Sequence, residues 1–328
     1  MFNKAKLKFD DIFENRLSES EVKEYLETLY KRGETASEIA AAASAMREHL
    51  IPLPVHYDLK EELIDNCGTG GDKSNSFNVS TTVSIVMAAC GCKVAKHGNR
   101  SITSKSGSAD MLEVLGINLN LSIENSVKLL EKTGFTFMFA QNHHPAMKYI
   151  MPIRKSIDHR TIFNILGPLS NPATVSKQLI GVFSKEYINK IIEALKLLGA
   201  KRAMVVSSED GMDEISISDI TYAATLINGE IKQFEINPVE LGLGIYQKED
   251  IVGGDAKFNA KITKDILENK LIGAKVDIVL INAGAALYID GKVDSIKEGV
   301  DMARKAILTG KTKEKLDEII KASQELAQ

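Results

Sequence analysis

Asp65-Asn66-Cys67-Gly68-Thr69-Gly70-Gly71-Asp72 has the form of a strand end that breaks into a glycine turn closed by a carboxylate. Glycines let a backbone approach a ligand closely, and their free N–H groups cradle phosphate oxygens. A carboxylate repels a plain phosphate, so Asp72 implies a ligand that also carries sugar hydroxyls or a metal. The turn is not a P-loop, because no Gly-Lys-Ser/Thr follows, and it lacks the third glycine of a dinucleotide fingerprint. Without a ligand it would be an ordinary tight surface turn.

Working outward, Asn78-Val79-Ser80-Thr81-Thr82 opens a helical pattern. Hydroxyls and an amide at a helix start, beside unpaired backbone N–H groups, make an anion site; simple N-capping by Asn78 or Ser80 is the plainer use. Lys96-His97-Gly98-Asn99-Arg100 follows a strand-like run, Lys93–Ala95. Ligands in open α/β sheets sit beyond the carboxyl ends of strands. There Lys96 would neutralise phosphate and Asn99 would hydrogen-bond a ring substituent, whereas His97 reads more readily as structural. Ser104-Lys105-Ser106-Gly107-Ser108 adds donors for a polyanion, or is a solvated loop.

Asp210-Gly211-Met212-Asp213-Glu214 follows another strand-like run, Ala203–Val206. Adjacent carboxylates repel unless a cation neutralises them, and hard oxygens near a phosphate suit Mg2+. A solvated acidic loop is the alternative. Arg154 is able to grip a carboxylate bidentately, although by position alone a surface ion pair is its ordinary role.

The wider pattern has two parts. Ser18-x-x-Glu21 and Thr35-x-x-Glu38 are capping boxes that open amphipathic helices, and up to about residue 63 there is no strand signal. From Leu63 short apolar runs alternate with helical ones. Strands are expected at Lys93–Ala95, Phe135–Phe139, Leu179–Phe183, Ala203–Val206 and Val276–Ile281, with helices at Val79–Ala89, Glu124–Lys132 and Lys185–Leu198. Asn228-Gly229 within Tyr222–Ile236 marks a hairpin, and Ile296–Leu308 and Thr312–Leu326 are amphipathic helices. The alternation predicts an α/β fold with a mostly parallel central sheet beside a small all-helical domain. Pro145 to Asn171 is helical again. The expected division is therefore 1–63 plus about 145–172 for the small domain, and 64–144 plus about 173–328 for the large one, with the ligand in the crevice between them.

Composition sets limits. The chain has 328 residues, 44% hydrophobic and 26% charged, which is ordinary for a globular protein of more than one domain. A net charge of −3 gives no general basic character, and so argues against a nucleic-acid partner. Three cysteines without C-x-x-C spacing argue against disulfides or a zinc site and for a reducing, cytoplasmic setting. No run approaches the roughly 20 apolar residues of a membrane span.

These motifs, together with His144-Pro145-Ala146, Arg160-Thr161-Ile162-Phe163-Asn164, Leu166-Gly167-Pro168-Leu169-Ser170-Asn171-Pro172 and Asn282-Ala283-Gly284-Ala285, resemble the anthranilate phosphoribosyltransferases of tryptophan biosynthesis, in order and over nearly the whole chain. The resemblance implies the nucleoside phosphorylase/phosphoribosyltransferase class of fold and a homodimer formed through the helical domain. It implies transfer of phosphoribosyl from phosphoribosyl pyrophosphate to the amine of anthranilate, with Mg2+. By position, Gly68, Gly70, Gly71, Asp72, Ser76, Asn78, Ser80, Thr81, Lys96 and Ser108 would bind the sugar pyrophosphate. Gly68, His97, Asn99, His144, Arg154 and Pro168 would bind or admit anthranilate, with Arg154 on its carboxylate. Ser80, Asp213 and Glu214 would hold Mg2+. No residue is assigned as general acid or base.

The chain departs from the family pattern at Lys73, Ser76, Ile157-Asp158-His159, Ser207-Ser208 and Lys257-Phe258. Asp158 is near enough in sequence to orient Arg154 or compete for it. Pyrimidine nucleoside phosphorylases share the architecture; Asn99, Arg154 and the Asp213-Glu214 pair argue against that reading.

Overall fold

The computed structural model describes residues 1–101 and 105–327. Up to Leu63 the chain is helical, in helices Phe2–Phe13, Glu19–Arg32, Ala36–Glu48 and Tyr57–Glu62. Both expected capping boxes are formed. Glu21 Oε2 accepts the Ser18 N–H at 2.9 Å and Glu38 Oε2 accepts the Thr35 N–H at 3.1 Å, each returned by the hydroxyl. Such a cap stabilises a helix start by about 1 kcal/mol.

A seven-stranded sheet follows: β1 (Leu63–Asp65), β2 (Lys93–Gly98), β3 (Phe135–Phe139), β4 (Lys177–Gly181), β5 (Arg202–Ser208), β6 (Thr221–Ile227) and β7 (Glu230–Ile236). Their spatial order is β3-β2-β1-β4-β5-β6-β7. The first five run parallel and the last two close antiparallel through Asn228-Gly229, both at positive φ as the hairpin turn demands. The strand expected at 179–183 ends earlier, at Gly181.

One expectation is wrong. Val276–Ile281 is not a strand but part of the helix Ala274–Asp290. Ile278 through Leu287 are all buried, so this part of the helix is covered on every side and shows no 3.6-residue stripe. A short apolar run of that kind reads the same in a buried strand and a buried helix.

Residues alternate between the two sheet faces. Leu179, Met204, Val206 and Ala223 pack with helices Val79–Ala89 and Ala274–Asp290 in one core. Ile180, Ala203, Val205 and Leu226 pack on the other face with helix Glu186–Leu197 and the N-terminal helices. That second core also takes Ile150, Ile153, Ile162, Phe163 and Leu166, from helices Met147–Lys155 and Phe163–Leu169 and the turn between them. Phe163 meets Phe9 and Phe13 edge-on at 6.3 and 6.1 Å. No helix among the described residues is long and apolar enough to cross a membrane.

The order of the strands positions the site. From β1 the chain builds outward through β2 to β3, then returns to place β4 on the other side of β1. The loops leaving β1 and β4 therefore diverge at their carboxyl ends, and the crevice between them is where such sheets bind ligands.

Candidate active site

The glycine turn leaves β1 into this crevice and is held residue by residue. Thr69 N–H donates to the Gly181 carbonyl at 2.9 Å, at the end of β4. Gly70 N–H donates to Asp213 Oδ2 at 2.6 Å. The Gly71 carbonyl accepts from Arg160. Gly70 and Gly71 have φ of 69° and 79°, the left-handed region that favours glycine. Gly68 has a second constraint, since a Cβ there would lie 2.7 Å from Asp213 Oδ2.

Asp72 turns inward on the protein. Its Oδ1 accepts the Ser74 N–H at 3.2 Å and its Oδ2 the Asp213 N–H at 3.4 Å, so it joins the glycine loop to the acidic loop after β5. Lys73, one of the departures, has φ of 62°, which explains why glycine suits that position. Ser76 Oγ lies 3.2 Å from Ser74 Oγ, and Ser76 bridges to Val252.

Asp213 and Glu214 sit between the two N–H cradles. Asp213 occupies the Gly70 amide, and the Ser80 amide at the start of helix Val79–Ala89 faces Glu214. Desolvation pushes both carboxyls above their ordinary range; the charges of Asp213 and Asp72 push further and Lys96 opposes at Glu214. Lys96 is 1% exposed, with its ammonium 3.3 Å from the Asn66 carbonyl and 3.4 Å from Asn66 Oδ1. It lies between Glu214 and Asp65, a carboxyl whose pKa rises to about 6 through burial against the pull of Lys96. Thus Lys96 is a buried counter-ion within an acidic cluster.

Among the described residues no group of three or more His, Cys, Asp or Glu side chains is arranged to hold a metal. Mg2+ does not require one. It binds through one or two carboxylates and takes its remaining ligands from water and substrate phosphates. Two crowded carboxylates beside anion cradles fit that donor set.

At the helix start, Asn78 makes no side-chain cap. Its amide instead donates to the Ser106 carbonyl at 3.2 Å and accepts from Asn259 at 2.9 Å. The Thr81 hydroxyl is buried and has no hydrogen-bond partner among the described residues. Ser108 begins helix Ser108–Leu115 and packs beside Gly98, where a Cβ would meet the Phe137 ring at 2.7 Å. Ser104 lies outside the described residues. Arg100 is committed to Asp110 and Glu113 at 2.9 and 2.6 Å, and Asp110 also accepts the Ser101 and Gly107 N–H groups.

Of the residues expected on the anthranilate side, His97, His144, Pro168 and Arg154 fall into two groups. His97 Nδ1 lies 3.1 Å from the Gly167 carbonyl and His97 Nε2 lies 3.2 Å from His144 Nε2. A carbonyl only accepts, so His97 Nδ1–H donates to it, and His144 Nε2–H donates to His97 Nε2. Burial drives both pKa values down, to about 3 for His97 and about 4 for His144. Pro168, buried beside Gly167, belongs to this group. Arg154 forms the other. It is half-buried and makes no ion pair among the described residues, neither the surface pair that its position suggested nor one with Asp158. Its neighbours are Met151 Sδ at 3.9 Å and the Phe163 ring at 5.9 Å, and burial lowers its pKa. An unpaired guanidinium in this state is suited to an incoming carboxylate.

Two family models match the chain. One, described as the glycosyl transferase family helical bundle domain, covers residues 4–50; the other, the glycosyl transferase family a/b domain, covers 60–313. An anthranilate phosphoribosyltransferase of Listeria innocua is 46% identical over 96% of this chain and 92% of its own. The chain belongs to the anthranilate phosphoribosyltransferase family. A family member from Methanobrevibacter smithii is also 46% identical, over 95% of this chain and 91% of its own. The crystal structure of the Thermus thermophilus family member superposes with a TM-score of 0.92 at 38% identity, covering 99% of this chain and 96% of that one. The Saccharomyces cerevisiae member, solved in complex with PRPP and Mg, gives a TM-score of 0.82 at 30% identity, over 94% and 86% of the two chains.

Sequence reasoning missed four positions that the structure makes prominent. Asp65 and Asn66 seat Lys96. Asn171 donates to Asp65 Oδ2 at 2.8 Å and the Ala95 carbonyl at 2.9 Å, tying β1 and β2 to the segment after Pro168. Arg160 reaches the glycine loop. All four lie inside quoted motifs, but only their partners, distant in sequence, disclose their roles.

Proposed function

We propose that this chain transfers the phosphoribosyl group from phosphoribosyl pyrophosphate to the amine of anthranilate, giving N-(5′-phosphoribosyl)anthranilate and pyrophosphate, with Mg2+, in tryptophan biosynthesis. The observation that carries the reading is the meeting of two backbone N–H cradles, at Gly70 and Ser80, with the Asp213-Glu214 pair in the crevice beyond β1 and β4. Such a site accepts a polyanion together with its cation.

In this reading Gly68, Gly70, Gly71, Ser76, Asn78, Ser80, Thr81 and Ser108 hold the sugar pyrophosphate. Asp72 and Lys96 shape that pocket, one by orienting the loops and the other by balancing the acids. Asp213, Glu214 and Ser80 hold Mg2+, which neutralises charge on the departing pyrophosphate when bound. Arg154 receives the anthranilate carboxylate, Asn99 contacts the ring, and His97, His144 and Pro168 line the entry.

The amine attacks the anomeric carbon as the bond from that carbon to the pyrophosphate oxygen breaks, through a transition state of oxocarbenium character, and the nitrogen then gives up one proton to water or to the departing pyrophosphate. An aniline nitrogen is neutral near pH 7, so no base is required before attack. What the chain supplies is alignment of the amine and fixed donors for the leaving charge.

Helices Phe2–Phe13, Glu19–Arg32, Ala36–Glu48, Met147–Lys155 and Phe163–Leu169 share a core, which supports joining about 145–172 to the N-terminal helices in a discontinuous helical domain, 1–63 plus about 145–172; that core continues onto the sheet through Ile180, Val205 and Leu226. Exposed Met1, Leu7 and Tyr30 on that bundle support pairing of two copies through it. A cytoplasmic setting suits a biosynthetic enzyme with three free cysteines.

The test is anthranilate fluorescence in the presence of phosphoribosyl pyrophosphate, with and without Mg2+. Consumption only with both additions supports the proposal; no consumption with both present overturns it.

A further inference from the structure

We infer that Arg160 is a positioning residue for the glycine loop, setting the Gly71–Asp72 peptide so that its N–H is presented to the pyrophosphate of the sugar substrate. This rests on the phosphoribosyl-transfer reading. Three successive loop residues are anchored, and the first two anchors, Gly181 and Asp213, come from the sheet side of the site. The third is Arg160, whose Nη2 donates to the Gly71 carbonyl. It comes from the turn between helices Met147–Lys155 and Phe163–Leu169, which pack with the N-terminal helices.

The consequence follows from peptide geometry. In a planar trans peptide the carbonyl and the next N–H point in opposite directions. Fixing the Gly71 carbonyl on Arg160 therefore aims the Asp72 N–H away from Arg160, and that N–H has no partner among the described residues. With both glycines at positive φ, this backbone has little steric preference of its own. An external anchor is what selects one orientation.

Arg160 is itself held. Its guanidinium lies over the Phe183 ring at 3.8 Å from the centroid, and Phe183 is braced edge-on by Tyr187 at 5.2 Å. The preceding residue, His159, stacks on Tyr30 at 3.6 Å and bonds Glu27 at 3.0 Å. Both partners lie on helix Glu19–Arg32. The pair His159-Arg160 is thus a strut from the helical bundle to the glycine loop. Among the described residues the partners of Arg160 are a carbonyl and an aromatic face rather than a carboxylate, so its charge also adds positive potential at the cradle. A lysine donates to the carbonyl but lacks the planar cation that stacks.

The test uses the full chain with Arg160→Ala and Arg160→Lys, reading phosphoribosyl pyrophosphate binding with Mg2+ by calorimetry and KM for each substrate. A hydrogen bond to a charged donor predicts about tenfold weaker sugar-pyrophosphate binding in Arg160→Ala, with KM for anthranilate within about twofold. Arg160→Lys should recover part of the loss, and Phe183→Leu, which leaves the donor but removes its support, should give a smaller shift in the same direction. Equal losses for both substrates, or wild-type binding by Arg160→Ala, overturn the inference. Failure of the wild-type chain itself to bind phosphoribosyl pyrophosphate sinks the underlying phosphoribosyl reading as well; wild-type binding with an unaffected variant sinks only the role of Arg160.

Discussion

Asp213 Oδ2 accepts the Gly70 N–H at 2.6 Å, so an acid of the protein itself fills part of the cradle that the glycine loop offers to an anion. The same acid is crowded by Asp72 and stands next to Glu214. A cation drawn to Asp213 and a phosphate drawn to Gly70 therefore relieve one another's competition. On the proposed reading, Mg2+ and the sugar pyrophosphate would bind here as a single event.

The double substitution Asp213→Asn with Glu214→Gln removes the charge while keeping shape. It should raise the Mg2+ concentration needed for half-maximal turnover by about tenfold or more, as expected when hard anionic ligands are lost. An unchanged magnesium titration would remove the metal role of the pair.

Arg154→Ala should raise KM for anthranilate by about tenfold or more while leaving that for phosphoribosyl pyrophosphate within about twofold, because a bidentate carboxylate grip is lost from one substrate only. Steady-state kinetics with each substrate varied in turn checks this. Equal effects on both would place Arg154 elsewhere.

The His97–His144 pair sets a pH dependence of stability. Burial holds the folded pKa values at about 3 and about 4, against about 6.5 for an unfolded histidine. Between roughly pH 4 and 6.5 the unfolded chain binds protons that the folded chain refuses, so this contribution strengthens as pH rises and is complete above about 6.5. Raised carboxyls such as Asp65 act in the opposite sense, and a difference between variants isolates the histidines. The thermal midpoint of His144→Asn relative to wild type should therefore improve as pH falls from 7 to 5. A pH-independent difference would show that His144 does not resist protonation.

Lys73 at φ of 62° marks a glycine-like position filled by a side chain. Lys73→Gly should be neutral or slightly stabilising, whereas a β-branched Lys73→Val should cost about 1–3 kcal/mol. Denaturant unfolding of the two variants measures this directly. Equal stabilities would mean that the loop relaxes to another backbone conformation.

Much of this was legible in the sequence where the signal is local. The capping boxes at Ser18 and Thr35, the strand ending at Asp65 and the Asn228-Gly229 hairpin depend on neighbours within a few residues, and each is found as expected. Helix Ala274–Asp290 was misread in part because complete burial erases the periodicity that distinguishes helix from strand. The types of the site residues were legible, but their partners were not. Asp72 suggested a sugar or metal contact, yet both its oxygens hold backbone amides. Lys96 suggested a phosphate contact, yet its ammonium is sunk among Asn66, Asp65 and Glu214. Arg160 carried no local clue, since Gly71, its partner, lies 89 positions away.

The most direct test of the central claim is a comparison of two reactions on the same purified chain: anthranilate with phosphoribosyl pyrophosphate and Mg2+, and thymidine with inorganic phosphate. The proposed roles of Arg154 as the carboxylate receiver and of the Asp213-Glu214 pair as the holder of a cation with its pyrophosphate predict turnover of the first pair and none of the second. Phosphorolysis of thymidine without consumption of anthranilate would contradict it.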